Sequence, residues 1–205
     1  MKISKFLLLV FTCLVIFNCS EDDSEDNPQD LTVQQQVENF VTPELIQSLQ
    51  NLGFTFRDGD ETPDISGDFK FTPFELKATN VENDSPLGTI FNDTNISFSN
   101  LNSQAREFNF AGSEANGSTY SNITDTFYSG SGNSFSAYVK FTNNIGDAMA
   151  ETLIAISGNI SENGIEDAEF AILILDNMGN TNVFIANGKG RLFEDQDGTA
   201  ERQTE

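Results

Sequence analysis

The nine residues "SFSAYVKFT", at positions 134–142, alternate in chemical character along their whole length. Apolar side chains stand at every second position, namely Phe135, Ala137, Val139 and Phe141. The positions between them carry Ser136, Tyr138, Lys140 and Thr142. Because side chains of a β-strand point to opposite faces in turn, this alternation predicts an antiparallel strand with one buried and one solvated face.

The same period of two recurs along the chain, as in Phe69 and Phe71, Ile96 and Phe98, and Phe108 and Phe110. We expect further strands at residues 119–128, 151–160, 169–176, 182–186 and 190–194. The links between them, such as "GSGN" and "SENG", are rich in the Gly and Asn that tight turns require. Eight to ten successive strands predict a meander that closes into a barrel or folds into a sandwich. We prefer the barrel, because it removes exposed edges.

Residues 31–52 have helical spacing instead, with apolar residues three or four positions apart. Thr42 and Pro43 are typical of an N-cap and a first helical position, and Gly53 is typical of a helix end. This predicts two short helices, or one broken at Pro43, that pack across a barrel end or against a sheet.

The amino-terminal segment has the layout of an export signal. Lys2 and Lys5 precede an apolar run at residues 6–17, which is too short to span a bilayer as a mature helix. Residues 16–19, "IFNC", resemble the lipobox of bacterial lipoproteins, which predicts a signal peptide at 1–18 and lipidation of Cys19. Cys13 is the competing site, but cleavage there would leave an apolar stretch on the mature end.

An acidic segment follows the predicted lipidation site. Residues 19–30 include six acids and lack a bulky apolar residue, which predicts a disordered tether ahead of a domain at 31–205. The run Ser20 to Asp23 resembles the acidic export signal of Bacteroidetes surface lipoproteins. We therefore expect a lipid anchor in the outer membrane and exposure at the cell surface; without that export step, the same segment is a solvated tether.

Composition excludes several chemistries. The chain has no His, and Cys13 and Cys19 are its only cysteines, so Cys–His or Ser–His–Asp catalysis and Cys/His zinc sites are unavailable to the mature form. The formal net charge of −22 repels nucleic acid and anionic headgroups. We expect no nucleic-acid partner.

Several blocks resemble a family of Bacteroidetes lipoproteins of unassigned activity. Residues 52–80, "LGFTFRDGDETPDISGDFKFTPFELKATN", are similar to that family's opening, and they depart from it around Asp64, in "TPD" at residues 62–64, where a second proline is often seen. Residues 129–141, 156–176 and 190–201 are similar to its later blocks. The opening matches at Gly53, Phe56, Gly59, Pro63, Ile65, Gly67 and Phe69. The resemblance implies a lipocalin-like (calycin-type) β-barrel.

Acidic turns are the candidate metal sites. Asp195, Asp197 and Glu201 surround Gly198 in "FEDQDGTAE", and alternate carboxylates in a turn can hold calcium. The EF-hand spacing is not met, so we prefer a charged turn after the last strand. "RDGDETPD", at residues 57–64, is a second acidic loop of the same kind.

A small barrel either fills its interior with side chains or holds one apolar ligand. The residues that we expect to face inward, as core or as cavity wall, are Phe98, Phe108, Phe110, Phe135 and Phe141. We expect a binding or structural module for an apolar or neutral small molecule, without a cofactor. The alternative is a calcium-stabilised surface domain that contacts glycan or protein. An enzyme, which would have to use carboxylates, ranks third, and we do not expect one.

Overall fold

The computed structural model describes residues 31–204 apart from Asn116 and Ser118. The predicted signal peptide (1–18), Cys19 and the acidic tether lie outside the described residues. The elements are helices α1 (Val33–Val41) and α2 (Pro43–Leu52), followed by strands β1 (Gly67–Phe71), β2 (Phe74–Thr79), β3 (Ile90–Phe91), β4 (Thr94–Asn102), β5 (Glu107–Glu114), β6 (Thr119–Ile123), β7 (Thr126–Ser131), β8 (Ser134–Ile145), β9 (Ala148–Ile160), β10 (Gly164–Asp176), β11 (Gly190–Asp195) and β12 (Thr199–Gln203). The fold is mainly β with an antiparallel sheet, as the sequence predicts.

Some strands that follow each other in the sequence are two segments of one longer, interrupted strand. β1 pairs with β12 and β2 pairs with β11, so the interruption at Thr72 and Pro73 faces the interruption at 196–198. β10 pairs with β11 and then with β12 along one edge. Its pairing with β9, along the other edge, shifts register between Glu166 and Glu169, at the level of these interruptions. The first and last strand segments of the domain therefore lie side by side, with breaks in register.

The pairing between neighbouring strands does not form a closed circuit. Among the described residues, no strand pairing joins β5 or β6 to β7 or β8, so the sheet is not closed and a barrel is not confirmed. Individual hydrogen bonds cross this region: the Tyr128 N–H of β7 donates to the carbonyl of Arg106, just before β5, at 3.0 Å. Thr126 Oγ1 also donates to the Phe108 carbonyl at 2.6 Å.

Both faces of the central strands are buried. One face carries an aromatic-rich core that includes Phe69, Phe98, Phe135 and Ile154. The opposite face of β7 to β11 packs under both helices and residues 54–56, through a second cluster: Phe127, Tyr138, Leu153, Ala155, Ala171, Leu173 and Leu192. The prediction of a solvated outer face is therefore wrong for β8 to β10, because the helices cover it. Tyr138 lies on that outer face, fully buried.

The helices form where the sequence predicts them. Thr32 begins α1 with a capping box, in which its side chain and that of Gln35 exchange hydrogen bonds with backbone N–H groups. Pro43 occupies the first turn of α2, and Gly53 ends that helix in the left-handed conformation that glycine adopts without strain. The two helices pack on the sheet, one of the two predicted positions.

Three strand predictions need correction. Residues 182–186 form no strand; they lie in the turn-rich segment between β10 and β11, where Phe184 packs on Ala150 and Ile174. The predicted strand at 119–128 is divided into β6 and β7. The acidic stretch after β11, predicted to be a charged turn, continues into a further strand, β12.

Candidate ligand cavity

Four of the five predicted inward phenylalanines are core residues. Phe98, Phe108, Phe110 and Phe135 are each at most 1% exposed. The Phe98 ring centroid lies 5.3 Å from that of Phe108, 5.7 Å from Phe110 and 6.1 Å from Phe135. Such contacts fill the interior at this level, so these four side chains contribute packing rather than a cavity wall.

Phe141, the fifth, is half-buried and lines a cavity of about 280 Å³. We call this the aromatic cavity, because six of its lining residues are aromatic: Phe74, Phe91, Tyr120, Phe141, Phe170 and Phe193. Its other lining residues are Asn92, Thr94, Glu114, Asn143, Ile172 and Arg191. The volume is at the small end for a ligand site.

The period of two explains how the cavity wall is built. Phe141 and Asn143 lie two apart on β8, as Phe170 and Ile172 do on β10. Residues two apart point to one face, so each strand contributes a pair to the same wall. Ring packing holds the wall together: Phe74 stacks on Phe193 at 4.3 Å, and Tyr120 contacts Phe141 at 5.3 Å.

The positive charge on the cavity wall is compensated. Arg191 donates from Nε and Nη2 to the two carboxylate oxygens of Asp84, at 2.8 and 2.6 Å. This pair and the hydroxyl of Thr79 hold the pKa of Asp84 well below its usual range. The Arg191 guanidinium also lies over the ring of Phe91, 5.6 Å from its centroid. A bidentate partner of this kind leaves little free positive charge for an anionic ligand.

The negative side of the wall comes from Glu114, at the end of β5. Burial raises the pKa of the Tyr120 hydroxyl, and the Glu114 carboxylate raises it further. Tyr120 therefore stays protonated at neutral pH and keeps a neutral ring facing the cavity.

The three candidate metal ligands do not form a centre. Asp195 Oδ2 accepts the Thr72 N–H at 2.8 Å, and Asp195 Oδ1 accepts the Asp197 N–H at 3.3 Å. Glu201 lies on β12 and is exposed. Within residues 31–204, leaving out 116 and 118, no group of three acidic, cysteine or histidine side chains is placed to hold a metal ion. This finding includes the acidic loop at 57–64, where Asp64 accepts the Ser66 N–H.

A polar pocket of about 340 Å³ lies beside the strand interruptions. Lys77 Nζ bridges Glu169 and Glu194, at 2.9 Å from each carboxylate. Glu169 is buried and also accepts the Thr55 N–H at 2.7 Å. These hydrogen bonds tie the segment after α2 to the outer face of the sheet, and we interpret the cluster as structural.

Most of the residues that line the aromatic cavity are not among those predicted from the sequence. Phe74, Phe91, Phe170 and Phe193 line it, while the predicted set contributed only Phe141. Alternation shows which face a residue occupies, but the level along the strand depends on register, which the sequence does not show.

Comparisons with protein-family models, with curated proteins and with solved structures found no match for this chain. The resemblance to Bacteroidetes lipoproteins thus stays a prediction from the quoted motifs. In the described part of the chain, no helix is both long and apolar enough to cross a membrane.

Proposed function

We propose that this domain is a small-molecule binding module whose ligand occupies the aromatic cavity. The observation that carries the proposal is the lining itself: six aromatic side chains around about 280 Å³, beside a fully packed core. Aromatic walls with a few convergent polar groups are typical of ligand sites.

The proposed ligand is apolar or neutral at the part that enters the cavity. Arg191 is already paired with Asp84, so it offers no uncompensated charge to an anion. The net charge of −22 adds a field that repels anions before they arrive. Asn92, Thr94 and Asn143 supply amide and hydroxyl groups that can hydrogen-bond a neutral polar end.

The finer architecture that we propose is a lipocalin-like barrel, interrupted between β6 and β7. Its support is that β1 and β2 pair with β12 and β11, while the remaining strands pair mostly in chain order. The hydrogen bonds from Tyr128 to Arg106 and from Thr126 to Phe108 link β7 to the start of β5 across this interruption.

We also propose that the domain is a lipoprotein, anchored through Cys19 to the outer membrane and exposed at the cell surface. The support is the sequence pattern described above. Labelled fatty acid fed to a bacterium that processes lipoproteins should enter the native protein and the Cys13→Ala variant. It should not enter Cys19→Ala; the opposite result for the two variants would assign lipidation to Cys13.

Paired variants on one strand test the binding proposal. Asn143 lines the cavity, while Asn144 points to the other face of β8. We expect the native protein to bind Nile red, a neutral apolar dye, and Asn143→Trp to weaken that binding by about tenfold or more because the indole fills the cavity. Asn144→Trp should bind as the native protein does. Equal binding by both variants, or none by the native protein, would overturn the proposal.

A further inference from the structure

One group of rings at the aromatic cavity comes from strands β2, β3, β10 and β11. Phe74 stacks on Phe193, with the ring centroids 4.3 Å apart. Phe91 meets Phe193 edge to face at 5.2 Å, and Phe170 meets Phe74 in the same way at 5.5 Å. Stacked and edge-to-face contacts are the arrangements that the charge distribution of aromatic rings favours. Each ring of this four-ring group is therefore held in a defined orientation by another ring.

The second group is a pair of rings from the other side of the wall, Tyr120 of β6 and Phe141 of β8. Their ring centroids lie 5.3 Å apart. Among the residues that the structure describes, no ring contact joins this pair to the four-ring group, although both line the same cavity. The cavity therefore lies between two sets of rings, and a planar ring placed in it can contact both.

The volume of the cavity sets the number of rings that it can hold. A protein cavity of about 150 Å³ lined by apolar side chains binds one benzene molecule. The aromatic cavity has a volume of about 280 Å³, a little less than twice as much. Two fused rings therefore match the available space.

We propose that the aromatic cavity binds a planar molecule of two fused aromatic rings with one neutral hydrogen-bonding group, in preference to saturated molecules of the same carbon number. This inference rests on the proposed function, since it names the ligand class for the same cavity. Contacts between aromatic rings add to the free energy gained by burying apolar area. A rigid ring system also loses less conformational entropy on binding than a flexible chain does. The side-chain amide of Asn143, on the cavity wall, can hydrogen-bond the polar group.

Three ten-carbon alcohols separate ring contacts from apolar area. The probes are 2-naphthol, its fully saturated analogue decahydro-2-naphthol, and 1-decanol, each neutral at pH 7 and kept below its solubility limit. Calorimetric titration of the purified chain should show that 2-naphthol binds about tenfold more tightly than decahydro-2-naphthol, with 1-decanol weaker still. A site that follows apolar area alone would give the reverse order, because the saturated molecules bury more of it.

Two phenylalanines provide the matched variants, because leucine keeps an apolar side chain and removes the ring. Phe141 lines the cavity, whereas Phe40 of α1 stacks on Phe127, in the cluster between the helices and the sheet. Phe141→Leu should reduce the preference for 2-naphthol over its saturated analogue several-fold, and Phe40→Leu should leave that preference unchanged. Thermal unfolding of both variants checks that each is folded at the temperature of the titration.

The outcomes distinguish the ring preference from the proposed function. The ring preference is wrong, while the binding cavity stands, if either saturated alcohol binds as tightly as 2-naphthol. The same conclusion follows if 2-naphthol does not bind while Nile red binds and Asn143→Trp weakens that binding. If neither the alcohols nor Nile red binds, both proposals fail. If Phe40→Leu lowers the preference as much as Phe141→Leu does, the assignment of the preference to this cavity is overturned.

Discussion

Asp195 and Thr72 join two interrupted strands: the Asp195 Oδ2 carboxylate oxygen accepts the Thr72 backbone N–H at 2.8 Å. Thr72 lies between β1 and β2, and Asp195 ends β11 just before the break that precedes β12. The Pro73 carbonyl accepts the Gln196 N–H at 3.0 Å, beside this contact. A side chain thus replaces a ladder hydrogen bond where the backbone cannot continue, which satisfies an otherwise unpaired N–H.

The ionisation of Asp195 should affect stability near neutral pH. Burial raises the pKa of Asp195 from its usual 3.8 to about 6, and the neighbouring Asp197 carboxyl contributes in the same direction. The folded state therefore holds the proton more tightly than the unfolded state. The resulting stabilisation is complete below about pH 4 and is lost as the pH rises through about 6. It amounts to at most about 3 kcal/mol.

Asp195→Asn isolates this contribution, because asparagine keeps the acceptor oxygen without the charge. We expect the variant to be more stable than the native protein at pH 7 and equally stable at about pH 4, as measured by urea unfolding. Acidification also relieves repulsion among the other acidic side chains, but it does so in both proteins. The difference between their free energies of unfolding therefore cancels this effect. A variant that is less stable at pH 7 would show that the Asp195 charge itself supports the fold.

Replacement by valine should have opposite effects on stability at two buried threonines. Thr152 is fully buried, and its Oγ1 has no hydrogen-bond partner in the described part of the chain. Thr126 is also buried, but its Oγ1 accepts from the Phe108 N–H at 3.0 Å and donates to the Phe108 carbonyl at 2.6 Å. We expect Thr152→Val to raise the free energy of unfolding by about 1 kcal/mol and Thr126→Val to lower it by about 1–3 kcal/mol. Destabilisation by both would indicate that Thr152 has a partner, such as ordered water.

The two aspartate ion pairs near the cavity should differ in strength. Asp84 is 5% exposed in its bidentate pair with Arg191, whereas Asp93 is 36% exposed in its pair with Lys70. We expect Asp84→Asn to lower the free energy of unfolding by about 2–4 kcal/mol, since it leaves a partly buried guanidinium without its counter-charge. Asp93→Asn should cost about 0–1 kcal/mol, as solvent screens that pair. Equal costs in chemical denaturation would contradict the assigned difference in burial.

Alanine substitutions at Phe98 and Phe141 should distinguish a core residue from a residue of the cavity wall. Phe98 is fully buried among other rings, so Phe98→Ala should destabilise by about 3–5 kcal/mol. Phe141 is half-buried at the cavity, and Phe141→Ala should cost about half as much while weakening Nile red binding. Thermal unfolding and dye titration on both variants would check this. Tight dye binding by Phe141→Ala would place the dye elsewhere.

The local signals in the sequence predict the local structure well. Pro43 and Gly53 mark the start and end of α2, and the alternation at 134–142 predicts β8 and its two faces. The prediction for residues 182–186 fails because the apolar run at 183–186 looks like a short strand, whereas in the fold the Phe184 side chain packs on Ala150 and Ile174. A short apolar run cannot distinguish a strand from a loop that packs one large side chain.

Long-range features are much harder to predict from the sequence. The helices cover the outer face of β8 to β10, which buries Ser136 and Tyr138 despite their polar groups. The cavity wall combines Phe74, Phe91 and Phe193, which are distant in sequence and meet through the pairing of β2 with β3 and β11. Strand register brings these residues together, and no motif in the sequence records it.

The most direct measurement of ligand binding uses the absence of tryptophan from the chain. Phe141→Trp would place a single fluorophore on the cavity wall, and Phe40→Trp would place one in the helix-covered cluster, where Phe40 stacks on Phe127. We expect Nile red, titrated into each variant, to change the emission of Trp at 141 saturably and to change that of Trp at 40 far less. No change at 141, or an equal change at both positions, would contradict binding in the aromatic cavity.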